Sequence, residues 1–449
     1  MSDDGNQLNL TDLDAYSTVI LASVDAQGQL FGRRIPVERL RTQSFRAMTI
    51  CTVALTWDAA QELNSDVRLP TSSAGLGDLL LEPDWRTLRP YPGSPDTLVC
   101  LCDVYDAGAS RLRVDPRGVL TGSVEKAEKA GWVLKAATEL EFYLFEASVR
   151  DLRQRRFLDM VPTTLVRSDY NIVRQAVQEP FIGAVRREME RCGIPIYACQ
   201  AEHGLGQWEV NFCHTDPLVM ADQHVIYKAG IKEMAAEAGL GITFMARPIG
   251  NDTGSSCHVH FSVYRDEVPV LADAESPGEL SDDGLAFVGG VLAHLDELAV
   301  LYAPAVNSYK RHLTQDFGGG IKAWGYDNRT VALRIVGVGA GLNVEVRYPG
   351  ADVNPHLALT AILESGLDGI ARHLDPGPPM VGTAYRRPDL PQTLPSLDTA
   401  ISRFEESEFA ARVLGPAAVT YYADLAKAEW AAYMRSVTDW EVSRGFESS

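Results

Sequence analysis

The chain lacks any stretch that could cross a bilayer as a helix. A span needs about 18 consecutive apolar residues, and the richest segment, 287–306, is broken by His294, Asp296 and Glu297. Positive charge is scarce: 41 Lys and Arg stand against 60 Asp and Glu, a formal net charge of −19. Nucleic-acid and anionic-membrane partners are therefore not expected, because those surfaces demand concentrated positive charge to displace counterions. A local basic pocket for a small anion remains open. Cysteine offers no framework either. The seven, at 51, 100, 102, 192, 199, 213 and 257, are odd in number and include no Cys-x-x-Cys. Disulfides are not expected, and a reducing cytoplasm is. The opening MSDDGNQLNLTDLD has neither the basic nor the apolar region of a secretory signal, which gives the same expectation. No Gly-x-x-x-x-Gly-Lys-Ser/Thr is present, so a P-loop enzyme is not expected.

What is present is length and apolar content. The 449 residues, 46% hydrophobic, allow two to four domains with a sizeable core. The first hundred residues read as short strands, at 17–24, 29–35, 47–57 and 97–104, with a turn at 26–28. VDPRG at 114–118 reads as a hinge and suggests a boundary between 1–113 and 114–449. Helical periodicity then predicts helices at 118–130, 179–192, 222–238, 284–301, 354–372, 397–414 and 417–439. The class is α+β.

The informative feature is a recurrent strand type. Residues two apart in a strand share one face. In 132–145, Glu139 and Glu141 face one way and Leu140 and Phe142 the other. Glu209 and Asn211 share a face in 207–213, as do His258, His260 and Ser262 in 256–264. Glu345 and Arg347 pair in 343–348, while Arg334 lies in 330–336 just after Arg329. One such strand is ordinarily an amphipathic strand wetting its polar face. Several carrying Glu, His and Arg suggest one cavity, where unpaired carboxylates are costly and raise one another's pKa. Mg²⁺ or Mn²⁺ relieves that conflict, since both favour carboxylate and water. Arginines add planar clamps for carboxylate or phosphate oxygens. Metals with arginines suggest phosphoryl transfer, with donor and substrate left open.

Six ordered blocks, TELEFYLFE, EHGLGQWEVNF, GSSCHVHFS, NSYKRH, DNRTVALRI and EVRYPGADVNPHLALTAILESGLDGI, resemble those of the glutamine synthetase superfamily. The resemblance covers nearly the whole chain. It implies a small N-terminal β-grasp domain, a large catalytic α/β domain with a curved antiparallel sheet, and rings of two stacked hexamers with active sites between subunits. It implies ATP as co-substrate, glutamate as acid substrate and two Mg²⁺ or Mn²⁺ ions per site. Glu141, Glu202 and Glu209 match ligands of the first ion, and Glu139, His258 and Glu345 those of the second. His260 matches a histidine near the transferred phosphate, and Ser262 a residue beside the nucleotide. Gly254 falls in the loop meeting the amino-acid substrate. Arg311 and Arg347 match arginines holding glutamate, and Arg329 and Arg334 those addressing phosphate and transition-state charge. His203, His214 and His224 are read as structural, and Cys257 as packing.

Three departures qualify the resemblance. Glutamine synthetases carry a glutamate shortly after NSYKR; here 312–320 reads HLTQDFGGG, with Asp316 the nearest acid. The branch that makes γ-glutamyl amides from alkylamines, polyamines or ethanolamine shares this lack, so a small amine is the expected acceptor. A base must still receive its proton; Asp58, Asp316 and the neighbourhood of Glu202 are the candidates. The pocket beside Phe317 and Trp324 is expected to shape amine choice. Second, Asn343 stands where an arginine near the nucleotide is usual. Third, no adenylylation motif surrounds Tyr385. The alternatives are a glutamine synthetase using ammonia and a catalytically silent structural ring.

Overall fold

A computed structural model describes residues 10–40, 46–58, 60–71, 75–108, 110–313 and 318–448. Asp316 and Phe317 lie outside them. Six strands form a first sheet: β1 (Thr18–Val24), β2 (Leu30–Pro36), β3 (Met48–Cys51), β4 (Asp78–Pro83), β5 (Arg89–Pro90) and β6 (Thr97–Tyr105), in the order β2-β1-β6-β4-β3 with β5 beside β6. β1 and β6 run parallel and the other pairs antiparallel. The β1–β2 turn is set by Asp25, whose carboxylate accepts from the amides of Gln27 and Gln29 at 3.0 and 2.8 Å.

Nine strands form the second sheet: β7 (Val133–Phe145), β8 (Ile196–Ala201), β9 (Gln207–Phe212), β10 (Gly241–Thr243), β11 (Cys257–Arg265), β12 (Val268–Pro269), β13 (Trp324–Tyr326), β14 (Leu333–Val336) and β15 (Asn343–Val346). The order is β13-β14-β15-β11-β7-β9-β8, with β10 extending along β7 and β12 along β11. All its pairs are antiparallel except β13–β14. β7 is central, and its apolar face, with Leu134, Ala136, Leu140 and Phe142 buried, packs on the helix Pro217–Glu237.

The helices begin and end where local chemistry dictates. Pro217–Glu237 starts earlier than periodicity predicts, because Asp216 accepts from the amides of Leu218 and Val219 and Pro217 opens the first turn. The helix expected over 284–301 is two, Asp282–His294 and Ala299–Tyr302; between them Asp296 pairs with Lys322 at 2.6 Å and Glu297 accepts from Ser407 at 2.8 Å. The helix expected over 397–414 also divides, since Ser407 caps a new start by accepting from the Ala410 amide. The strand expected over 47–57 is the short β3 followed by a 3₁₀ turn, Thr52–Leu55. All seven cysteines are free thiols. Cys257 is fully buried, and burial pushes its thiol up to about 12, in keeping with packing. No helix among the described residues is long and apolar enough to cross a membrane.

The segment read as a hinge carries the start of a helix. Asp115 caps the helix Pro116–Lys129, and Arg117, only 2% exposed, bolts three carboxylates together. It donates to Asp103 of β6 at 2.6 Å, to Asp84 at 2.8 Å and to Asp222 of the helix Pro217–Glu237 at 3.0 Å. The first sheet is thereby fastened to the helix that backs the second. Replacing Arg117 by Met should lower unfolding stability by about 3–5 kcal/mol, because buried carboxylates lose their counter-charge. Urea unfolding followed by tryptophan fluorescence measures this; an unchanged midpoint would contradict the role of Arg117.

Candidate active site

Strand register brings the polar faces together. Glu139 stands opposite His258 of β11 on one side and Asn211 of β9 on the other. Glu141 stands opposite Glu209. His260 faces Glu345 of β15, which faces Arg334 of β14. Cross-strand partners project from the same face, so five strands converge on a cavity of about 550 Å³. All six expected metal ligands line it, together with Gly254, Arg329, Arg334 and Arg347.

The floor is dense with charge. Glu139 has one carboxylate oxygen 3.0 Å from His258 Nδ1 and the other 3.0 Å from His260 Nε2. Glu345 accepts from Arg334 Nη1 at 2.8 Å on one oxygen and from Arg347 on the other. Glu141 Oε2 accepts from Gln207 Nε2 and the Ser256 amide, both at 2.8 Å. Glu209 accepts from Gln200 and Asn211 at 2.5 and 2.9 Å. Potential ligand atoms of Glu139, His258 and Glu345 lie within 4.8 Å of one another, as do those of Glu141, Glu209 and His258. His258 Nε2 is buried without a hydrogen-bond partner. A free imidazole nitrogen among carboxylates suits a divalent cation. Glu202 shares the cavity but joins neither group.

The carboxyls fall into two classes. Burial opposes the charge of Glu139, yet His258 and His260 hold it far below the usual range. Burial also opposes Glu345, but Arg347 and both histidines hold it at about 2. Glu141 goes the other way, pushed to about 8 by burial and then by Glu209. Burial, then Glu141 and Asp169, raise Glu202 to about 8. Glu209 is raised well above the usual range by burial and then Glu139 and Glu202. His258 is lowered to about 4 by burial and Arg347. His260 resists burial through Glu139 and rises to about 9.

Other expected residues lie outside the cavity wall. His260 Nδ1 is 2.8 Å from Asn343 Oδ1, and Ser262 Oγ donates to the Leu342 carbonyl at 3.3 Å, one step further along β11. Arg311 is buried behind the wall, donating to Ser256 Oγ at 3.1 Å and to the Tyr348 carbonyl. Gly254 leans on it, since an added Cβ would sit 2.5 Å from Arg311 Cγ and 2.8 Å from the Ala246 carbonyl oxygen. Asp58 accepts from the amides of Ala60 and Glu62 and lines a separate cavity with Lys228 and Glu429. Trp324 is buried, donates to the Gly377 carbonyl at 2.9 Å and does not line the charged cavity.

Residues to which no binding role is assigned from the sequence complete the wall. Asp169, Tyr170 and His203 line the cavity, so His203, read as structural, stands at its wall. His224 is buried in the core, as expected. Arg167 fixes the segment carrying Asp169, donating to Asp252 at 3.0 Å and to the His203 carbonyl. Tyr170 has φ +50°, a left-handed conformation that costs roughly 1–2 kcal/mol.

The sequence that builds this carboxylate and imidazole floor matches a known family. The description "Glutamine synthetase, catalytic domain" fits residues 113–445. The chain belongs to the glutamine synthetase family. Within it, the chain is 36% identical to the glutamate–isopropylamine ligase of a Pseudomonas species, over 95% of this chain and 94% of that protein. It is 34% identical to gamma-glutamylethanolamide synthetase GlnA4 of Streptomyces coelicolor, over 96% and 92%. The solved structure of ligand-free GmaS superposes with a TM-score of 0.84 at 27% identity, covering 96% of this chain and 97% of that one. The fold is thus α+β and glutamine synthetase-like.

The raised carboxyls of this family member make a signed prediction. Between the ordinary glutamate value near 4.5 and about 8, the folded chain keeps protons on Glu141 and Glu202 that the unfolded chain has shed. Their contribution to stability therefore falls as pH rises through that window. A bound cation displaces those protons, so Mn²⁺ should raise the melting temperature more at pH 8 than at pH 6. Thermal melts with and without Mn²⁺ measure this, and equal shifts at both values would contradict it.

Proposed function

We propose that the chain is an ATP-dependent carbon–nitrogen ligase joining the γ-carboxylate of glutamate to a primary amine other than ammonia. One observation carries the reading: a single cavity holds an acid and imidazole floor suited to cations together with Arg329, Arg334 and Arg347, which suit anions. That layout brings two anionic substrates together. The amine-ligase relatives support the acceptor class, and 312–320 lacks the glutamate with which a glutamine synthetase receives ammonium. The filled ligand positions argue against a silent scaffold.

A γ-carboxylate oxygen of glutamate attacks the terminal phosphorus of ATP, giving γ-glutamyl phosphate and ADP. The amine sheds one proton, and its nitrogen lone pair then attacks the acyl carbon. Phosphate leaves with the bonding pair, and the loss of a second proton completes the amide. Two Mg²⁺ or Mn²⁺ ions, held by Glu141, Glu202 and Glu209 and by Glu139, His258 and Glu345, supply neutralisation of phosphate charge when bound. Arg334 and Arg347, resting on Glu345 in this state, exchange it for substrate oxygens. Arg334 meets charge developing at phosphorus, Arg347 and Arg329 hold glutamate, and Arg311 buttresses the Gly254 loop. His260, Ser262 and Asn343 form the nucleotide side. Asp58, remote from this cavity within one chain, would act from a neighbouring subunit of a dodecameric ring. The reading includes a cytoplasmic location and a division at 113/114.

Phosphate release should require both glutamate and an amine, and ammonium should be a poor acceptor. A steady-state assay across short alkylamines, ethanolamine, a polyamine and ammonium tests this. Ammonium giving the highest kcat/KM would favour an ordinary glutamine synthetase.

A further inference from the structure

The helix Pro217–Glu237, which backs the second sheet, carries two lysines one turn apart, Lys228 and Lys232. Both ammonium groups lie over one ring, 5.3 and 5.7 Å from the centroid of Phe244. Like charges four residues apart on a helix repel each other, and an ammonium withdrawn from water needs a counter-charge. Among the described residues no carboxylate forms an ion pair with either lysine. Lys232 is exposed at the rim, but Lys228 is only 7% exposed. An ammonium has three donors, and Lys228 makes one hydrogen bond, to the Ala351 carbonyl at 2.8 Å. Burial, and then Lys232, lower its pKa to about 8.

Both lysines line a cavity of about 360 Å³ that also meets the β1–β2 turn, a volume suited to a small organic ligand. Phe244, Leu301, Leu357 and Leu425 make its walls apolar. Phe244 packs on Phe142 with ring centroids 5.6 Å apart, so the cavity lies behind the second sheet, on the face of β7 opposite Glu139 and Glu141. Three acids line it as well, and each already serves a neighbour. Asp58 accepts from the Ala60 and Glu62 amides, and Glu429 from the Val306 amide. Asp352 accepts from Ser308 Oγ at 2.6 Å. Its other oxygen, without a partner, is turned against Gly350, where an added Cβ would sit 2.5 Å away. Burial opposes the charge of both Asp352 and Glu429.

The acids are engaged and the cations are open, inside an otherwise apolar enclosure. We propose that this cavity is a second ligand site, which takes a small carboxylate with a short apolar tail. The carboxylate bridges Lys228 and Lys232, and the tail lies along Phe244, Leu301, Leu357 and Leu425. An inorganic anion would leave the apolar walls unfilled, and a cation would meet the lysines. The two lysines also border a cavity of about 300 Å³ beside Arg34, whose charge Glu233 matches at 3.2 Å. The apolar walls favour the first cavity for the ligand.

Isothermal titration calorimetry of the full-length chain tests the site with three probes. Isovalerate carries the anion and the tail, acetate the anion alone, and 3-methylbutan-1-ol the tail without charge. Wild-type protein should bind isovalerate at least about tenfold more tightly than either of the others. Lys228→Met, which keeps an apolar stem, and Lys232→Gln, at the exposed rim, should each weaken isovalerate by at least about tenfold. An unchanged melting temperature of Lys232→Gln without probe separates lost binding from lost folding. Isovalerate bound by either variant as tightly as by wild type would overturn the assignment. So would acetate or the alcohol binding as tightly as isovalerate, or wild-type protein that binds none of the three. The ligase reading stands or falls separately, on the amine panel.

Discussion

Glutamates held on one face of a sheet repel each other, and the construction of the site follows from that repulsion. Glu139 and Glu141 are two residues apart on β7, so their side chains share a face. Register then puts His258 opposite Glu139 and Glu209 opposite Glu141. The first pairing keeps a carboxylate charged. The second sets acid against acid in a buried place and makes the proton the default counter-ion. One strand thus carries one carboxyl held charged by imidazoles and another whose charge is opposed by burial and a facing acid. A rigid antiparallel ladder is the means of holding like charges this close.

Fastenings outside the cavity preserve that geometry. Arg117 ties Asp84 and Asp103 to Asp222 on the helix behind β7. The helix Pro416–Arg435 adds a second clamp, with Tyr421 donating to the Leu55 carbonyl and Tyr422 to the Val114 carbonyl, both at 2.8 Å. On the cavity side, Gly254 and Arg311 pack so closely that a side chain on Gly254 would meet Arg311 Cγ at 2.5 Å. A residue read as a ligand clamp can therefore serve by supporting the loop that meets the ligand.

How much was legible depends on whether a residue's position is set locally. The faces of β7, β9, β11 and β15 follow from a period of two, so Glu139, Glu141, Glu209, His258 and Glu345 could be assigned to polar faces from spacing. Which strands would be neighbours does not follow from spacing; ordered family motifs were needed to unite the faces. Residues 114–118, read as a hinge from their Pro and Gly, also carry a helix start, because Pro and Gly mark helix starts as readily as hinges. Asp169 and Tyr170 were missed because they lie in an irregular segment, where no periodicity points a side chain inward.

Arg156, Phe157, Asp159 and Tyr170 all have positive φ, between +50° and +57°, and they cluster in the segment that presents Asp169. This stretch contributes no strand to the ladder; Val161 and Thr163 only clip it to the end of β7 through the Glu146 and Leu144 backbones. The consequence is modular: the charged floor is written in the sheet, and the wall that carries Asp169 and Tyr170 in a detour outside the ladder.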